Sequence, residues 1–373
     1  MRVVLSGGGT GGHIYPALAV ASQCAAEFPD SEFLYIGGQR GLESSLVPKQ
    51  NIPFKAIDIT GFRRKLSIEN IKTVMRFLKG VRASKKLLRE FNPDVVIGTG
   101  GYVCGPVVYA AAKLGIPSVI HEQNAIPGLT NRFLSKYVST VAVSFEGSES
   151  AFPGAGNVVY TGNPRATTVH AADKAKGFAS LGLAASSSVV LVVGGSRGAK
   201  AINEAMIGMA PLLAEAPHLQ FVYVTGEAYH EATLEAIRGK LGGLPDHLQV
   251  LPYVHNMPEV LAATSLIVGR AGASSLAEIT ALGIPAILIP SPNVTNNHQE
   301  KNARTLERAG AAEVILEPDL SGQSLFGSIQ RIMNELSVHA SMSAASRRLG
   351  KPDSAHLLVE EMRRLVQSRG NRR

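Results

Sequence analysis

Short apolar runs alternate with longer segments of helical periodicity along the whole chain. Runs rich in Val, Ile and Leu are typical of strands that are buried on both faces of a parallel sheet. Because helical patterns separate many of these runs, the sequence predicts an α/β fold with right-handed crossovers. The predicted strands are residues 3–6, 32–36, 95–97, 118–120, 138–143, 189–193, 220–225, 266–268 and 286–289.

The second half of the chain repeats the motif order of the first half. Gly-Thr-Gly-Gly at 98–101 is followed by a helix, Leu-Gly-Ile-Pro and a strand, and Gly-Arg-Ala-Gly at 269–272 is followed by the same series. Each half also begins with a strand, a glycine-rich turn and a helix. Two Rossmann-like domains explain this repeat most simply, so we predict domains at 1–163 and 164–351.

The positive charge of the chain is concentrated in one segment. The 373 residues are 45% apolar and 18% charged, which excludes a disordered chain, and the formal net charge is +8. Ten basic residues and one acidic residue lie at 63–89. A second, smaller basic zone lies at 347–373, and the rest of the chain is net acidic. This pattern argues against a nucleic-acid partner.

Apolar length and cysteine content indicate the compartment. The sequence has no apolar run of 18 residues, and the first apolar stretch breaks at once into glycines, so we expect neither a membrane-spanning helix nor a signal peptide. Cys24 and Cys104 have no metal-ligand spacing and are expected to be buried, small hydrophobic residues. These observations predict a cytosolic protein with no metal site and no cofactor.

The basic segment has the pattern of an amphipathic helix. Apolar side chains in one sector are predicted to face the core, namely Ile71, Val74, Phe77, Leu78, Val81 and Leu88. A basic stripe that also contains apolar residues lies beside that sector and is typical of a surface on anionic lipid. The predicted membrane-binding residues are Ile68, Lys72, Met75, Arg76, Lys79 and Arg82. A solvated basic face is the alternative.

The first glycine-rich turn, residues 7–12, precedes His13 at the start of a helix. Glycine allows an anion to approach the backbone, and a helix start presents unpaired N–H groups. The turn satisfies G-x-G-x-x-G, but the next predicted strand ends in Gly37 and Gly38 without the acid that binds a dinucleotide ribose. A phosphate or oxygen-rich ligand and a plain tight turn both remain open. His13 could accept a proton from a hydroxyl, or serve only in capping or binding.

The second glycine-rich turn, residues 194–198, also lies between a strand and a helix. Its backbone N–H groups and the Ser196 hydroxyl could hold a diphosphate. Arg270 follows a later strand, and Glu278 lies eight residues further on, where its carboxylate could accept hydrogen bonds from two ribose hydroxyls. A surface ion pair is the alternative for Glu278.

Five motifs together resemble the MurG family of peptidoglycan N-acetylglucosaminyltransferases. They are Gly-Gly-Gly-Thr-Gly-Gly-His-Ile-Tyr-Pro at 7–16, Gly-Thr-Gly-Gly-Tyr at 98–102, His-Glu-Gln-Asn at 121–124 with Leu-Thr-Asn at 129–131, Gly-Gly-Ser-Arg-Gly-Ala at 194–199, and Gly-Arg-Ala-Gly-Ala-Ser-Ser-Leu-Ala-Glu at 269–278. The resemblance covers nearly the whole chain in order. It implies a GT-B fold with an active cleft between the two domains, and a final helix, 352–373, that returns to the first domain.

The resemblance also implies a reaction. A family member inverts the anomeric centre as it transfers N-acetylglucosamine from UDP-N-acetylglucosamine to the 4-hydroxyl of N-acetylmuramoyl in lipid I. The product, lipid II, is used for peptidoglycan synthesis, cell shape and division. The enzyme would be peripheral on the cytoplasmic face of the cell membrane and could have other cell-wall synthesis proteins as partners.

The site residues implied by the resemblance fall into three groups. The candidate catalytic residues are His13, His121 and Glu122. The donor-binding residues are Thr10, Gly11, Gly12, Asn124, Arg165, Ser196, Val254, Arg270, Ala273, Ser274, Ser275, Glu278 and Gln299. The acceptor-binding residues are Gly9, Thr10, Gly100, Gly101, Tyr102 and Asn131. Arg165 follows Pro164 directly, whereas the family pattern places its arginine one residue later.

Three other functions are compatible with parts of this sequence. One is a GT-B transferase acting on another lipid, such as diacylglycerol, and another is a UDP-sugar 2-epimerase of the same fold. A non-catalytic nucleotide-sugar binding protein or membrane scaffold is the third, because glycine turns alone do not guarantee turnover. The His-Glu-Gln-Asn segment and the first glycine-rich turn favour the MurG-like transferase.

Overall fold

A computed structural model describes residues 1–61, 68–294 and 297–370, and in the helix that begins at Ile68 it describes the side chains from Thr73 onward. The chain divides into two compact units. Unit 1 comprises Met1–Thr167 and Asp353–Arg373, and unit 2 comprises Thr168–Pro352. The predicted domain boundaries, 163/164 and 351/352, lie within four residues of these divisions.

Unit 1 is built on a seven-stranded parallel sheet in the order β3-β2-β1-β4-β5-β6-β7. Its central strands are fully buried, which explains their continuous apolar sequences. The strands are β1 (Arg2–Ser6), β2 (Glu32–Gly38), β3 (Phe54–Ile57), β4 (Val95–Gly98), β5 (Ser118–Glu122), β6 (Thr140–Val143) and β7 (Val158–Tyr160).

The helices of unit 1 include one from the end of the chain. They are α1 (Gly11–Glu27), α2 (Glu43–Leu46), α3 (Ile68–Phe91), α4 (Gly101–Lys113), α5 (Leu129–Leu134) and α15 (Ser354–Gly370), and α6 (Arg165–His170) spans the division between the units. Helix α15 packs against α1, and Leu358, Val359 and Met362 are completely buried in the core of unit 1. Each such side chain contributes about 1.5–3 kcal/mol by burial.

Unit 2 repeats the pattern with a six-stranded parallel sheet in the order β10-β9-β8-β11-β12-β13. The strands are β8 (Ser188–Val193), β9 (Leu219–Val224), β10 (Leu248–Leu251), β11 (Leu266–Gly269), β12 (Ala286–Leu288) and β13 (Ala312–Val314). The helices are α7 (Lys174–Ser180), α8 (Lys200–Met209), α9 (His230–Leu241), α10 (Met257–Ala262), α11 (Ala273–Leu282), α12 (His298–Arg308), α13 (Gly322–Asn334) and α14 (Leu336–Leu349).

The α/β prediction is confirmed, and each of the nine predicted strands is present. The repeated motifs fall on equivalent elements, because β4 and β11 each lie beside the first strand of their unit. Cys24 and Cys104 are both buried, as predicted. Over the described ranges, none of the helices combines the length and apolar character needed to cross a membrane.

The predicted core face of α3 was wrong at two positions. Val74 and Leu78 are 46% and 57% exposed, whereas Val81 and Leu88 are buried as predicted. The buried face includes Thr73, Gly80 and Ser84, which a hydrophobicity pattern does not identify. At Gly80 an added Cβ would lie 3.2 Å from the ring of Pro106, so α3 and α4 pack closely at this point.

Candidate active site

The loops at the carboxyl ends of the central strands contain most of the predicted site residues. In a doubly wound sheet, ligands bind where neighbouring strands connect in opposite directions. That point lies between β1 and β4 in unit 1 and between β8 and β11 in unit 2. We call residues 7–12, after β1, the first glycine loop, and residues 194–198, after β8, the second glycine loop.

The first glycine loop holds the imidazole of His13 at the start of α1. His13 Nδ1 lies 3.1 Å from the Gly8 carbonyl oxygen and 3.2 Å from Thr10 Oγ1. A carbonyl can only accept a hydrogen bond, so the contact with Gly8 requires the proton on Nδ1. The neutral ring then has its lone pair on Nε2, the nitrogen that could accept a proton from a hydroxyl.

The loop after β4 packs directly against the first glycine loop. Gly100 and Gly101 have positive φ angles of 101° and 79°. A Cβ at Gly100 would lie 2.8 Å from the His13 ring, and a Cβ at Gly101 would clash with the Gly8 carbonyl. Thr99 Oγ1 donates a 2.6 Å hydrogen bond to the His13 carbonyl. Glycine is therefore needed at both positions to fit the backbone around the imidazole.

His121, a second candidate base, is fully buried and engaged at both nitrogens. Its Nε2 lies 2.9 Å from the Gly162 carbonyl oxygen, and its Nδ1 lies 3.0 Å from Gln123 Nε2. Burial lowers the pKa of His121 to about 4. The neutral ring thus donates from Nε2 and accepts at Nδ1, an arrangement that secures the chain at Gly162 and leaves no lone pair for a substrate hydroxyl.

Glu122, the third candidate, organises the loop that follows β5. It is only 2% exposed. Its Oε1 accepts hydrogen bonds from the backbone and side-chain nitrogens of Asn124 at 3.0 and 3.2 Å, and its Oε2 accepts from Gly128 N at 3.0 Å and Asn131 Nδ2 at 2.9 Å. Four donors around one carboxylate fix the shape of this loop, so Glu122 has a positioning role in this geometry.

Two aromatic side chains flank the first glycine loop. The Tyr102 ring would lie 3.4 Å from a Cβ on Gly9 and is 37% exposed; burial and the Glu43 carboxylate raise the pKa of its phenol. The guanidinium of Arg165 lies 5.4 Å from the centre of the Tyr15 ring. Arg165 therefore lies near the start of α1, whose first turn contains Gly11 and Gly12.

The second glycine loop is open to solvent at its centre. Gly195 and Gly198 have φ angles of 91° and 73°, and Gly195 and Ser196 are exposed. The loop precedes the ten-residue helix α8, and Ala199 at its N-cap position provides no side-chain cap. The first N–H groups of the helix and the Ser196 hydroxyl thus suit an anionic oxygen.

Arg270, which follows β11, has an acidic partner. Its Nη2 lies 2.6 Å from Glu317 Oε1, and its Nη1 donates to the Ile289 carbonyl at 3.0 Å. The side chains of Arg270 and Glu317 are 16% and 25% exposed. Glu317 therefore orients the guanidinium and offsets part of its charge.

The remaining donor-site candidates of unit 2 lie on α11 and near it. Ala273, Ser274 and Ser275 form the first turn of α11, and Glu278 follows one turn later on the face of Ser274 and Ser275. The Ser274 hydroxyl is buried and lacks a hydrogen-bond partner among the described residues. Elsewhere in the unit, Gln299 Oε1 accepts from Ser291 N at 3.0 Å, and Val254 is 7% exposed.

The predicted membrane-binding stripe lies on α3. Met75 is 54% exposed, and Arg76, Lys79 and Arg82 are also exposed. The side chains of Ile68 and Lys72 lie outside the described residues. Val74 and Leu78 are also exposed, so α3 presents more apolar surface than the sequence indicated.

Three buried polar residues of the two sites were missed. Glu43 accepts from Gly9 N, Gln123 Nε2 donates to the Thr99 carbonyl at 2.6 Å, and Asn203 on α8 accepts from Tyr223. A signal for Glu43 was present in the glycines at 37, 38 and 41, because such spacing indicates close packing. Gln123 lies inside the His-Glu-Gln-Asn motif at 121–124, whereas no local pattern marks Asn203.

Comparisons with known proteins connect both sites to one family. Residues 3–143 match the glycosyltransferase family 28 N-terminal domain, and residues 189–358 match the C-terminal domain of that family. One similar protein, from Bacillus cytotoxicus (strain DSM 22905 / CIP 110041 / 391-98 / NVH 391-98), is 53% identical to this chain, and the match covers 98% of this chain and 100% of that protein. Its name is UDP-N-acetylglucosamine--N-acetylmuramyl-(pentapeptide) pyrophosphoryl-undecaprenol N-acetylglucosamine transferase. A Bacillus subtilis (strain 168) protein of the same name is 52% identical with the same coverage.

The crystal structure of Acinetobacter baumannii MurG is similar to this chain with a TM-score of 0.77 and 31% identity, covering 97% of this chain and 99% of that one. This chain belongs to the MurG family. It is accordingly a glycosyltransferase of the MurG type with a GT-B fold. The crystal structure of a Neisseria meningitidis UDP-GlcNAc 2-epimerase bound to UDP-GlcNAc is similar with a TM-score of 0.70, covering 96% of this chain and 99% of that one. Its sequence identity is only 15%, so it shares the fold alone with this MurG-family chain.

Proposed function

We propose that this MurG-family chain transfers N-acetylglucosamine from UDP-N-acetylglucosamine to the 4-hydroxyl of N-acetylmuramoyl in lipid I, giving lipid II. The observation that carries the proposal is the match, over nearly the whole chain, to relatives whose name states the donor and the acceptor. The organisation of the two glycine loops adds independent support. Diacylglycerol transfer and 2-epimerisation lack a comparable observation.

In this proposal unit 2 binds the donor. The N-terminus of α8 and Ser196 hold the diphosphate, Arg270 lies beside the nucleotide, and Glu278 accepts hydrogen bonds from the ribose hydroxyls. The buried Ser274 hydroxyl has no partner among the described residues, which supports a contact with bound ligand. Helix N-termini and arginine would stabilise the leaving UDP without a metal ion.

Unit 1 would bind the acceptor and remove its proton. The acceptor oxygen attacks the anomeric carbon as the bond to the UDP oxygen breaks, and His13 Nε2 takes the hydroxyl proton. A single displacement of this kind inverts the anomeric centre. Of the three candidate bases we choose His13, because His121 uses both ring nitrogens in contacts with Gly162 and Gln123, and Glu122 accepts hydrogen bonds that fix the loop after β5.

The α3 surface would hold the enzyme on the cytoplasmic face of the membrane, beside its lipid-linked acceptor. Exposed Val74, Met75 and Leu78 beside Arg76 and Lys79 support binding to anionic lipid, because cations attract the headgroups while apolar side chains insert between them. Other cell-wall synthesis proteins would be further partners.

The test is a product assay with radiolabelled UDP-N-acetylglucosamine and lipid I in phosphatidylglycerol-containing vesicles. We expect a labelled disaccharide lipid, the same rate with EDTA, and no product with diacylglycerol. Met75→Asp with Lys79→Glu should lower the vesicle-bound fraction and the rate several-fold, most strongly at low salt. Leu336→Asp with Lys240→Glu is the matched control in unit 2.

Each arm of this assay can contradict one part of the proposal. No product with intact lipid I would refute the transferase function, and formation of UDP-N-acetylmannosamine would favour the epimerase. A rate lost in EDTA and restored by Mg²⁺ would refute metal independence. Equal vesicle binding by the two double variants would show that α3 has only a solvated basic face.

A further inference from the structure

A buried carboxylate lies directly beneath the first glycine loop. Glu43, the first residue of α2, has no exposed surface. Its Oε2 accepts a hydrogen bond from Gly9 N at 3.1 Å, and its Oε1 accepts from Gly38 N at 3.0 Å. No basic side chain in the described ranges forms an ion pair with it, and its hydrogen-bond donors are the two backbone N–H groups. Burying a charge in this way is costly, which argues for a specific role.

Four glycines form the walls around this carboxylate. A Cβ at Gly8 or Gly41 would clash with the Glu43 carboxylate, a Cβ at Gly38 would lie 3.0 Å from Oε1, and one at Gly37 would lie 2.8 Å from Cγ. The chain therefore surrounds one side chain with backbone from the first glycine loop, the end of β2 and the turn before α2. Hydrogen bonds to both oxygens and the close backbone walls leave the carboxylate little freedom to move.

The hydrogen bonds of Glu43 and His13 meet at one peptide group. The Gly9 N–H and the Gly8 carbonyl belong to the same peptide unit, which is trans, so the two groups point in opposite directions. The carboxylate accepts from the N–H, and the carbonyl accepts from His13 Nδ1 at 3.1 Å. A negative charge at one end of such a chain polarises the peptide and strengthens the hydrogen bond at the other end.

We propose that Glu43 is a positioning residue that holds His13 in the Nδ1–H tautomer through the peptide group between Gly8 and Gly9. This inference rests on the proposed function of His13 as the base. It adds that the Glu43 carboxylate acts on the imidazole through one peptide group and without direct contact. The carboxylate fixes the peptide orientation, the carbonyl fixes the Nδ1 proton, and Nε2 is the nitrogen directed to the acceptor hydroxyl. A carboxylate that contacts a histidine directly fixes its tautomer by the same principle.

The test is nitrogen-15 NMR of the imidazole in ligand-free, full-length protein, with the His13 signal assigned by its loss in His13→Ala. In the wild type we expect Nδ1 protonated and Nε2 unprotonated at a pH where the ring is neutral. In Glu43→Gln we expect a mixture of tautomers, because the amide has no charge and presents an NH₂ group to one of the two backbone donors. The turnover number should fall about tenfold or more, with the KM for UDP-N-acetylglucosamine within about twofold.

Two control variants separate this role from general support of the loop. Tyr35→Phe removes the 2.7 Å hydrogen bond from the Tyr35 hydroxyl to the Gly7 carbonyl, a neutral contact to the same loop. Thr10→Val removes the hydroxyl that lies 3.2 Å from His13 Nδ1. Both variants should retain the Nδ1–H tautomer, and release of the tautomer in Thr10→Val but not in Glu43→Gln would overturn the proposal.

Three further outcomes of the NMR experiment also test the role of Glu43. An Nε2–H tautomer in the wild type, or an unchanged tautomer in a folded Glu43→Gln, overturns the role of Glu43 even if the enzyme is active. If Glu43→Gln does not fold, Glu43→Asp takes its place: its carboxylate is one methylene too short to keep the 3.1 Å hydrogen bond from Gly9 N, so a mixture of tautomers is expected, and an unchanged tautomer in folded Glu43→Asp overturns the role of Glu43. Because the tautomer is measured without substrate, an inactive transferase refutes the proposed function and leaves this measurement valid.

Discussion

The two glycine loops occupy equivalent positions in two similar sheets, yet they are supported differently. The first has an internal anion beneath it, because Glu43 accepts from Gly9 N. Among the described residues of unit 2, the second has no buried acid in the corresponding place, and Glu227, which follows β9, is exposed. In the first glycine loop a backbone N–H donates to a side chain of the protein, and a backbone carbonyl contacts His13. In the second glycine loop the central residues are exposed and accessible to an anion.

The strands beneath the loops show how far the equivalence extends. Tyr35 on β2 pairs in register with Leu5, the penultimate residue of β1, and Tyr223 on β9 pairs with Val192, the penultimate residue of β8. Both tyrosines are fully buried, but Tyr35 donates to the Gly7 carbonyl and Tyr223 donates to Asn203. The two units therefore share the register of these strand pairs, and they differ in the group that accepts the hydrogen bond from the tyrosine hydroxyl.

The largest expected effect comes from removing the histidine of the first loop. His13→Ala should lower the turnover number about 10²- to 10⁴-fold, because general-base catalysis contributes an effect of this size. The affinity for UDP should change little, since the donor is assigned to unit 2. Initial rates and calorimetric titration with UDP measure the two quantities, with His170→Ala as an exposed-histidine control. Wild-type turnover would remove His13 from the role of base.

In unit 2 we expect a smaller effect, and we expect it on the affinity for UDP rather than on the turnover number. Glu278→Ala should weaken UDP binding about 10- to 100-fold, because water replaces the carboxylate as the acceptor for the ribose hydroxyls and the net loss is that of one hydrogen bond to a charged group, about 1.5–3 kcal/mol in total. Saturating donor should restore most of the rate. Glu235→Ala, an exposed change on α9, is the control, and equal UDP affinity in the two variants would exclude the ribose contact.

The smallest effects should come from the paired tyrosines. Tyr35→Phe and Tyr223→Phe each leave one buried acceptor without its donor, so each should lower the free energy of unfolding of its unit by about 1–3 kcal/mol. Urea unfolding followed by circular dichroism would measure this loss. A loss in only one variant would show that the matching register does not make the two tyrosines energetically equivalent.

The sequence was sufficient to predict the central strands of both sheets, but it did not predict the edge strands. The four strands that were not predicted, β3, β7, β10 and β13, are the four edge strands of the two sheets. Each is only three or four residues long and partly exposed, so it lacks the continuous apolar run that marks a buried strand. Edge strands that end in this way also limit pairing with other chains.

The candidate site was predictable where chemistry lies in consecutive residues. The glycine loops, His13 and the 121–124 segment were recognised from local sequence, and the structure places them at strand ends. Glu43 was missed because its role depends on Gly8 and Gly9, more than thirty residues away. The opposite difficulty arose on α3, where Val74 and Leu78 fit the apolar sector but small residues of the helix take the buried positions against α4.

Helix α15 makes the first unit depend on the end of the chain. Leu358, Val359 and Met362 complete a core whose other members include residues of α1 and of the strands β1, β2, β4, β5 and β6. The Glu361 carboxylate accepts hydrogen bonds from Thr140 Oγ1 and from Asn157 Nδ2. A ribosome synthesises all of unit 2 before these residues emerge. The unit that begins first is therefore completed after the other, and a nascent chain in which α15 has not yet been synthesised would expose the apolar side chains of α1 that α15 covers.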